Sequence, residues 1–272
     1  MSTTLPGLTP RQVFEDNLRP AELLLKVYKL LECEETHSDH EILTAVRDSL
    51  GARTDEGLLL LYNQVFVGIV RERAQIGPNT FKRAMLDNLL RQSVSAACTA
   101  LDAFLPALLR ANIGTVLKAQ GSSFLPADKE TRGFFQGITF TLEEAARLLT
   151  DPDPALFITN RILLAIKDKG AGNATAVHAV GSLLGLDDPW KQIGTRLTMP
   201  GDRLKQLLND TTSRRNDIIH RADRSKANPD GDTQDISYAW TKQAVDNISN
   251  VCFAVDELVT EQMKIFASTT VS

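Results

Sequence analysis

Apolar residues recur every three or four positions along most of the chain, and sustained alternation at every second position is absent. That periodicity predicts helices. From about Thr80 to Ala111, Phe81, Met85, Leu89, Val94, Cys98, Leu101, Phe104, Leu105 and Leu108 keep helical spacing, and Pro106 is expected to kink this helix or end its first part. From about Gln234 to Phe266, Ile236, Trp240, Ala244, Ile248, Val251, Val255, Leu258 and Val259 form the buried stripe of a second long helix. A third helix, from about Gly201 to His220, must end near the turn-forming run Ala227–Gly231.

Helix starts are marked locally. Ser38–Glu41 and Thr141–Glu144 have the form of a capping box, and Asp153-Pro154 and Asp188-Pro189 place an acid before a proline in the first turn. Pro20-Ala21 is expected to open the first helix. The apolar run Gly57–Val70, broken by Asn63 and Gln64, reads as a buried helix and is too short to cross a membrane. Gly137–Leu142 reads as a short extended piece. Ile76–Asn79 has turn chemistry, which divides the chain into an N-terminal helical extension, 1–77, and a helical domain, 78–272. The expected fold class is all-α: a helical bundle with an N-terminal helical extension.

Composition narrows the function. A net charge of −4 argues against coating nucleic acid by bulk charge, but a local basic site remains open because attraction to phosphate depends on nearby charge. Cys33, Cys98 and Cys252 are widely spaced in apolar helical patterns and read as buried reduced thiols. The first ten residues lack the pattern of a secretory leader, so a cytoplasmic, membrane-free placement is expected. His37 and His40 flank Asp39, which the capping box explains better than a metal does, and no cofactor is expected.

The candidate chemistry lies in Ser213–Ser225, SRRNDIIHRADRS. Arg215 and Asn216 precede His220, Asn216 by one helical turn, and Asp223 follows it. Arg214, Arg221 and Arg224 crowd the same segment, and Ile218 and Ile219 are both expected to face inward as anchors. An arginine fork pairs with phosphate oxygens and stabilises added negative charge. A histidine titrating near neutrality moves the proton. If the substrate is RNA, its 2'-hydroxyl supplies the nucleophile and no metal is required. The alternative for Arg215 and His220 is a helix C-terminus dressed with cations that favour the macrodipole. Asp102, in the otherwise apolar Ala100–Leu105, is a candidate to face and hold a site arginine, or else is simply exposed.

RRNDIIHRAD, Arg214–Asp223, resembles the Arg-polar-x3-His signature of the HEPN superfamily, all-helical domains that include metal-independent endoribonucleases. Leu89–Leu105 is similar to the first core helix of its RiboL-PSP-HEPN branch, and Gly185–Leu197 resembles the tryptophan-containing segment before the motif helix there. The resemblance covers about 78–267. It implies Arg215 and His220 as the catalytic pair and Asn216 as the polar residue that orients them. It also implies a homodimer with a composite site, cleavage to a 2',3'-cyclic phosphate and a 5'-hydroxyl, and a setting such as a toxin or phage defence. On this reading the partners are an RNA substrate, tRNA or mRNA, and a regulatory protein. Arg214, Arg221 and Arg224 are the substrate-binding candidates, or else solvated or paired with Asp217 and Asp223, and Asp223 either orients His220, bridges to Arg224 or caps the helix. Two other classes stay open: a non-catalytic module that binds RNA, nucleotide or protein through the same patch, and a pure interaction scaffold.

Overall fold

The computed structural model describes residues 7–31, 57–59, 68–70, 83–169 and 172–269. These residues form nine α-helices and one short strand pair. The helices are α1 Pro10–Leu31, α2 Arg83–Gln120, α3 Lys129–Phe135, α4 Leu142–Thr150, α5 Pro154–Lys169, α6 Ala174–Leu183, α7 Pro189–Leu197, α8 Gly201–Arg221 and α9 Tyr238–Thr269. The protein is an all-α helical bundle.

The first helix starts ten residues before the expected position, at Pro10 rather than Pro20. Thr9 supplies the reason. Its Oγ1 accepts the Gln12 N–H at 3.2 Å, and Gln12 Oε1 accepts the Thr9 N–H at 2.9 Å. This capping box, with proline at the first helical position, makes a strong start, and α1 runs on through Pro20. Phe14, Leu18, Ala21, Leu25 and Tyr28 then alternate at four- and three-residue steps and are buried. They pack on α2 and α9 in one continuous core, with Phe14 edge-on to Phe104 and Phe253 at 5.6 and 5.4 Å. The boundary expected near residue 77 lies outside the described residues, as do Ser38–Glu41, His37, His40 and Cys33.

The central helix α2 passes through Pro106 and continues to Gln120. Pro106 has no N–H to give the carbonyl of Asp102 one turn earlier. By length and composition α2 could cross a membrane, but half of its most apolar stretch is buried in this core. Core packing accounts for its apolar face.

The run Gly57–Val70 is corrected. Its described ends, Gly57–Leu59 and Gly68–Val70, are antiparallel strands with Leu58 opposite Ile69. A short apolar run does not distinguish helix from strand by spacing, and the β-branched Ile69 and Val70 favour the strand. Of Gly137–Leu142, expected to be extended, residues 138–141 pair with no strand among the described residues, and Leu142 already begins α4.

Other expected starts are observed. Thr141 and Glu144 form the reciprocal capping box of α4. Asp153 accepts from Leu156 N–H at 3.0 Å before α5, and Asp188 accepts from Lys191 N–H at 3.2 Å before α7. Trp190 is buried, and its indole N–H donates to the carbonyl of Ala174 at 3.3 Å, which joins α7 to α6. Helix α8 lies against α2, α7 and α9, with the expected motif at its C-terminal end.

Candidate functional site

The buried side of α8 is set by Leu204, Leu208, Thr211 and Ile218. Their spacing leaves one position of the stripe, 215, to an arginine. Arg215 is therefore aimed at α2, where Asp102 interrupts an apolar face in the same way. The two meet at 2.9 Å, Arg215 Nη2 to Asp102 Oδ2. Arg215 Nη1 also donates to Asn216 Oδ1 at 3.1 Å. Its Nε is buried and has no acceptor.

This pair lies in a pocket of about 840 Å³ between α2, α5 and α8. Cys98, Asp102, Pro106 and Arg110 enter it from α2, one helical turn apart. Leu163, Leu164 and Ile166 of α5 give it an apolar side, and Asn160, Thr212 and Asn216 add polar groups. Gly172, in the α5–α6 connection, approaches the carboxylate so closely that a Cβ there would lie 2.4 Å from Asp102 Oδ1.

Burial raises the Asp102 carboxyl above its ordinary range, and Arg215 only partly opposes that. The Cys98 thiol is pushed up to about 12 by burial. It therefore stays protonated and is no nucleophile at neutral pH. Cys252 is buried and its thiol is likewise raised.

His220 lies one turn beyond Asn216 and outside the pocket lining. Both side chains are exposed. Among the described residues the His220 ring makes no hydrogen bond. The isoleucine expectation is corrected: Ile218 is buried, but Ile219 is 51% exposed. Successive residues on a helix point about 100° apart, so the two cannot both anchor the segment.

For Arg214 the structure shows the pairing with Asp223, not a place at an RNA surface: it is an internal tie. Its Nη2 donates to Asp223 Oδ2 at 2.9 Å and to the carbonyls of Gln234 and Asp235 at 3.1 and 2.9 Å. Its guanidinium also faces the Trp240 ring at 5.8 Å. Asp223 is fully buried, and Arg91 Nε donates to it at 2.6 Å. Two arginines thus share one acid. Asp223 and Ala222 both have left-handed backbone, φ 63° and 49°, which non-glycine residues adopt only when held there. The two guanidinium contacts and the Gln234 N–H donating to the Asp223 carbonyl at 2.9 Å hold it. Asp223 fixes the loop after the motif instead of orienting His220.

Arg221 pairs with Asp217 one turn back, and Arg224 Nε donates to the Gly231 carbonyl at 2.8 Å. Of the four arginines around His220, Arg215 alone enters the pocket. Sequence reasoning missed Arg110, Asn160 and Gly172. Only their assembly from three chain segments marks them, apart from a faint signal in Arg110, which repeats the α2 row of Asp102 and Pro106. Among the described residues no three His, Cys, Asp or Glu side chains converge as a metal site would require. His178 is a packed helix histidine, 3.4 Å from Asp128. No protein-family model, curated protein or solved structure matches the chain.

Proposed function

We propose that this protein is a metal-independent endoribonuclease of the HEPN type. One observation carries the reading. Arg215 is held by Asp102 inside a pocket and donates to Asn216 Oδ1, while His220, one turn on along the same helix, keeps its ring open to solvent. Arg215 is then placed to hold a phosphate and stabilise its extra negative charge in the transition state. His220 takes the proton from the 2'-hydroxyl as that oxygen attacks phosphorus. A second His220, from another copy, gives a proton to the departing 5'-oxygen. The products are a 2',3'-cyclic phosphate and a 5'-hydroxyl.

Ile219, half exposed beside His220, supports an isologous homodimer through the end of α8. RNA loops, as in tRNA or mRNA, suit the in-line attack because their backbone is free to adopt it. A toxin or phage-defence role with a regulatory protein partner follows from the same resemblance. The second reading, a non-catalytic RNA- or nucleotide-binding module, is favoured by one feature: no described side chain orients the His220 ring.

The deciding experiment is incubation of total RNA with the full chain in EDTA, beside His220→Ala and Arg215→Ala. Cleavage leaving 2',3'-cyclic phosphate ends is expected, reduced about 10²- to 10⁴-fold in His220→Ala and about 10²- to 10³-fold in Arg215→Ala. RNA binding by a folded dimer without cleavage would establish the binding module instead.

A further inference from the structure

The pocket between α2, α5 and α8 holds more unmatched chemistry than Arg215 and His220 explain. Among the described residues its one carboxylate, Asp102, is already paired with Arg215 at 2.9 Å. Arg110, about two turns along α2, is exposed and has no ion-pair partner among the described residues. Asn160 on α5 is exposed, with no hydrogen-bond partner among them. Arg215 Nε is buried with no acceptor. The unused hydrogen-bonding capacity is therefore rich in donors and cationic. It fits an acceptor-rich anion.

The remaining surface is different. Pro106, Leu163, Leu164 and Ile166 offer an apolar face. A volume of about 840 Å³ falls among small-molecule sites. An anion joined to a flat ring with hydrogen-bonding edges satisfies both halves, and a nucleotide is that combination.

We propose that the pocket is a nucleotide subsite that takes one residue of the RNA. Its base lies against Pro106 and Leu163 with Asn160 at its edge, and its phosphate is reached by Arg110 and Arg215. This deepens the ribonuclease reading and rests on it. Arg110 supplies the phosphate contact that Arg214, engaged with Asp223, cannot, and Asn160 makes the cut selective for one base.

The test titrates the full chain by calorimetry with each of the four nucleoside 5'-monophosphates and with inorganic phosphate. It then measures cleavage of short RNAs differing at one base. The variants are Arg110→Gln, Asn160→Ala and Leu164→Trp, all at exposed positions where folding is not at risk, with Lys264→Gln on α9 as control. One monophosphate is expected to saturate a single site per chain, about tenfold or more tighter than inorganic phosphate. Arg110→Gln should weaken it about tenfold, Leu164→Trp should block it, and Lys264→Gln should leave it unchanged. Asn160→Ala should flatten the base preference. Phosphate binding as tightly as every nucleotide would overturn the subsite, as would Arg110→Gln and Leu164→Trp behaving like wild type. Saturable nucleotide binding with no RNA cleavage would uphold the pocket and sink the ribonuclease. Cleavage lost in His220→Ala, but without base preference and indifferent to Arg110→Gln and Leu164→Trp, would do the reverse.

Discussion

Arg214 and Arg215 are adjacent in sequence and opposite in circumstance. Arg214 points toward the loop after α8 and shares the fully buried Asp223 with Arg91, backed by two backbone carbonyls. Arg215, about 100° around the helix, enters a pocket, pairs with one half-buried acid and keeps a buried N–H without an acceptor. The first cluster closes a loop, with arginine nitrogens against both Asp223 carboxylate oxygens, although Gln234 Nε2 is buried there without an acceptor. The second is incompletely matched, which costs stability and is tolerated at sites that bind something. A run of basic residues is therefore not one functional unit. Helix geometry sorts it into ties and tools.

The largest effect expected from this contrast is at Asp223. Asp223→Ala leaves two arginines in the interior without their acid and should cost about 3–5 kcal/mol in chemical denaturation. Asp223→Asn, which still tolerates the left-handed backbone, should recover only a small part. Arg214→Ala should cost about 1–3 kcal/mol. Arg215→Ala should cost within about 1 kcal/mol, since its pair is partly solvent-screened, while RNA cleavage falls about a hundredfold. Equal stability losses for the two arginines would break the comparison.

A smaller effect is expected at Gly172. The added methyl of Gly172→Ala collides with Asp102 Oδ1, so the carboxylate must move and carry Arg215 with it. Stability should fall by about 1 kcal/mol, with a larger proportional loss of cleavage. Cleavage unchanged in a stable Gly172→Ala variant would show that the Asp102 position does not matter to Arg215.

The smallest effect is a pH dependence. Burial raises the Asp102 carboxyl, and Arg215 opposes this only in part. The folded protein then keeps this proton to higher pH than the unfolded chain does. The stability this contributes is full below the ordinary carboxylate range and is lost as pH rises through the raised value. Asp102→Asn removes that loss. Its thermal midpoint relative to wild type should therefore be higher at pH 7 than at pH 3.5. A relative midpoint that falls between pH 3.5 and 7 would mean that the Arg215 attraction exceeds desolvation.

The helical fold was legible because each long helix carries its own periodic stripe and its own start signal, as Thr141–Glu144 and Asp188-Pro189 do. Misreadings arose where local signals competed. Pro20 carries one start signal, but Thr9-Pro10-Arg11-Gln12 carries a stronger one, and Ile218-Ile219 has the look of a paired anchor, but a helix separates neighbours. The motif was visible as residue types, but that Arg215 is the polar member of a buried stripe emerged only from the burial of Leu204, Leu208, Thr211 and Ile218.

The sequence by itself determined the all-α character and the position of the motif at a helix end, because spacing and capping act over a few residues. It also marked Asp102 as a polar intrusion into an apolar face. Only the tertiary structure decided that Asp102 and Arg215 face each other and that Arg214 is internal. It alone brought Arg110, Asn160 and Gly172 around one pocket. Those facts depend on how α2, α5 and α8 cross, and that crossing is set by packing across the whole core.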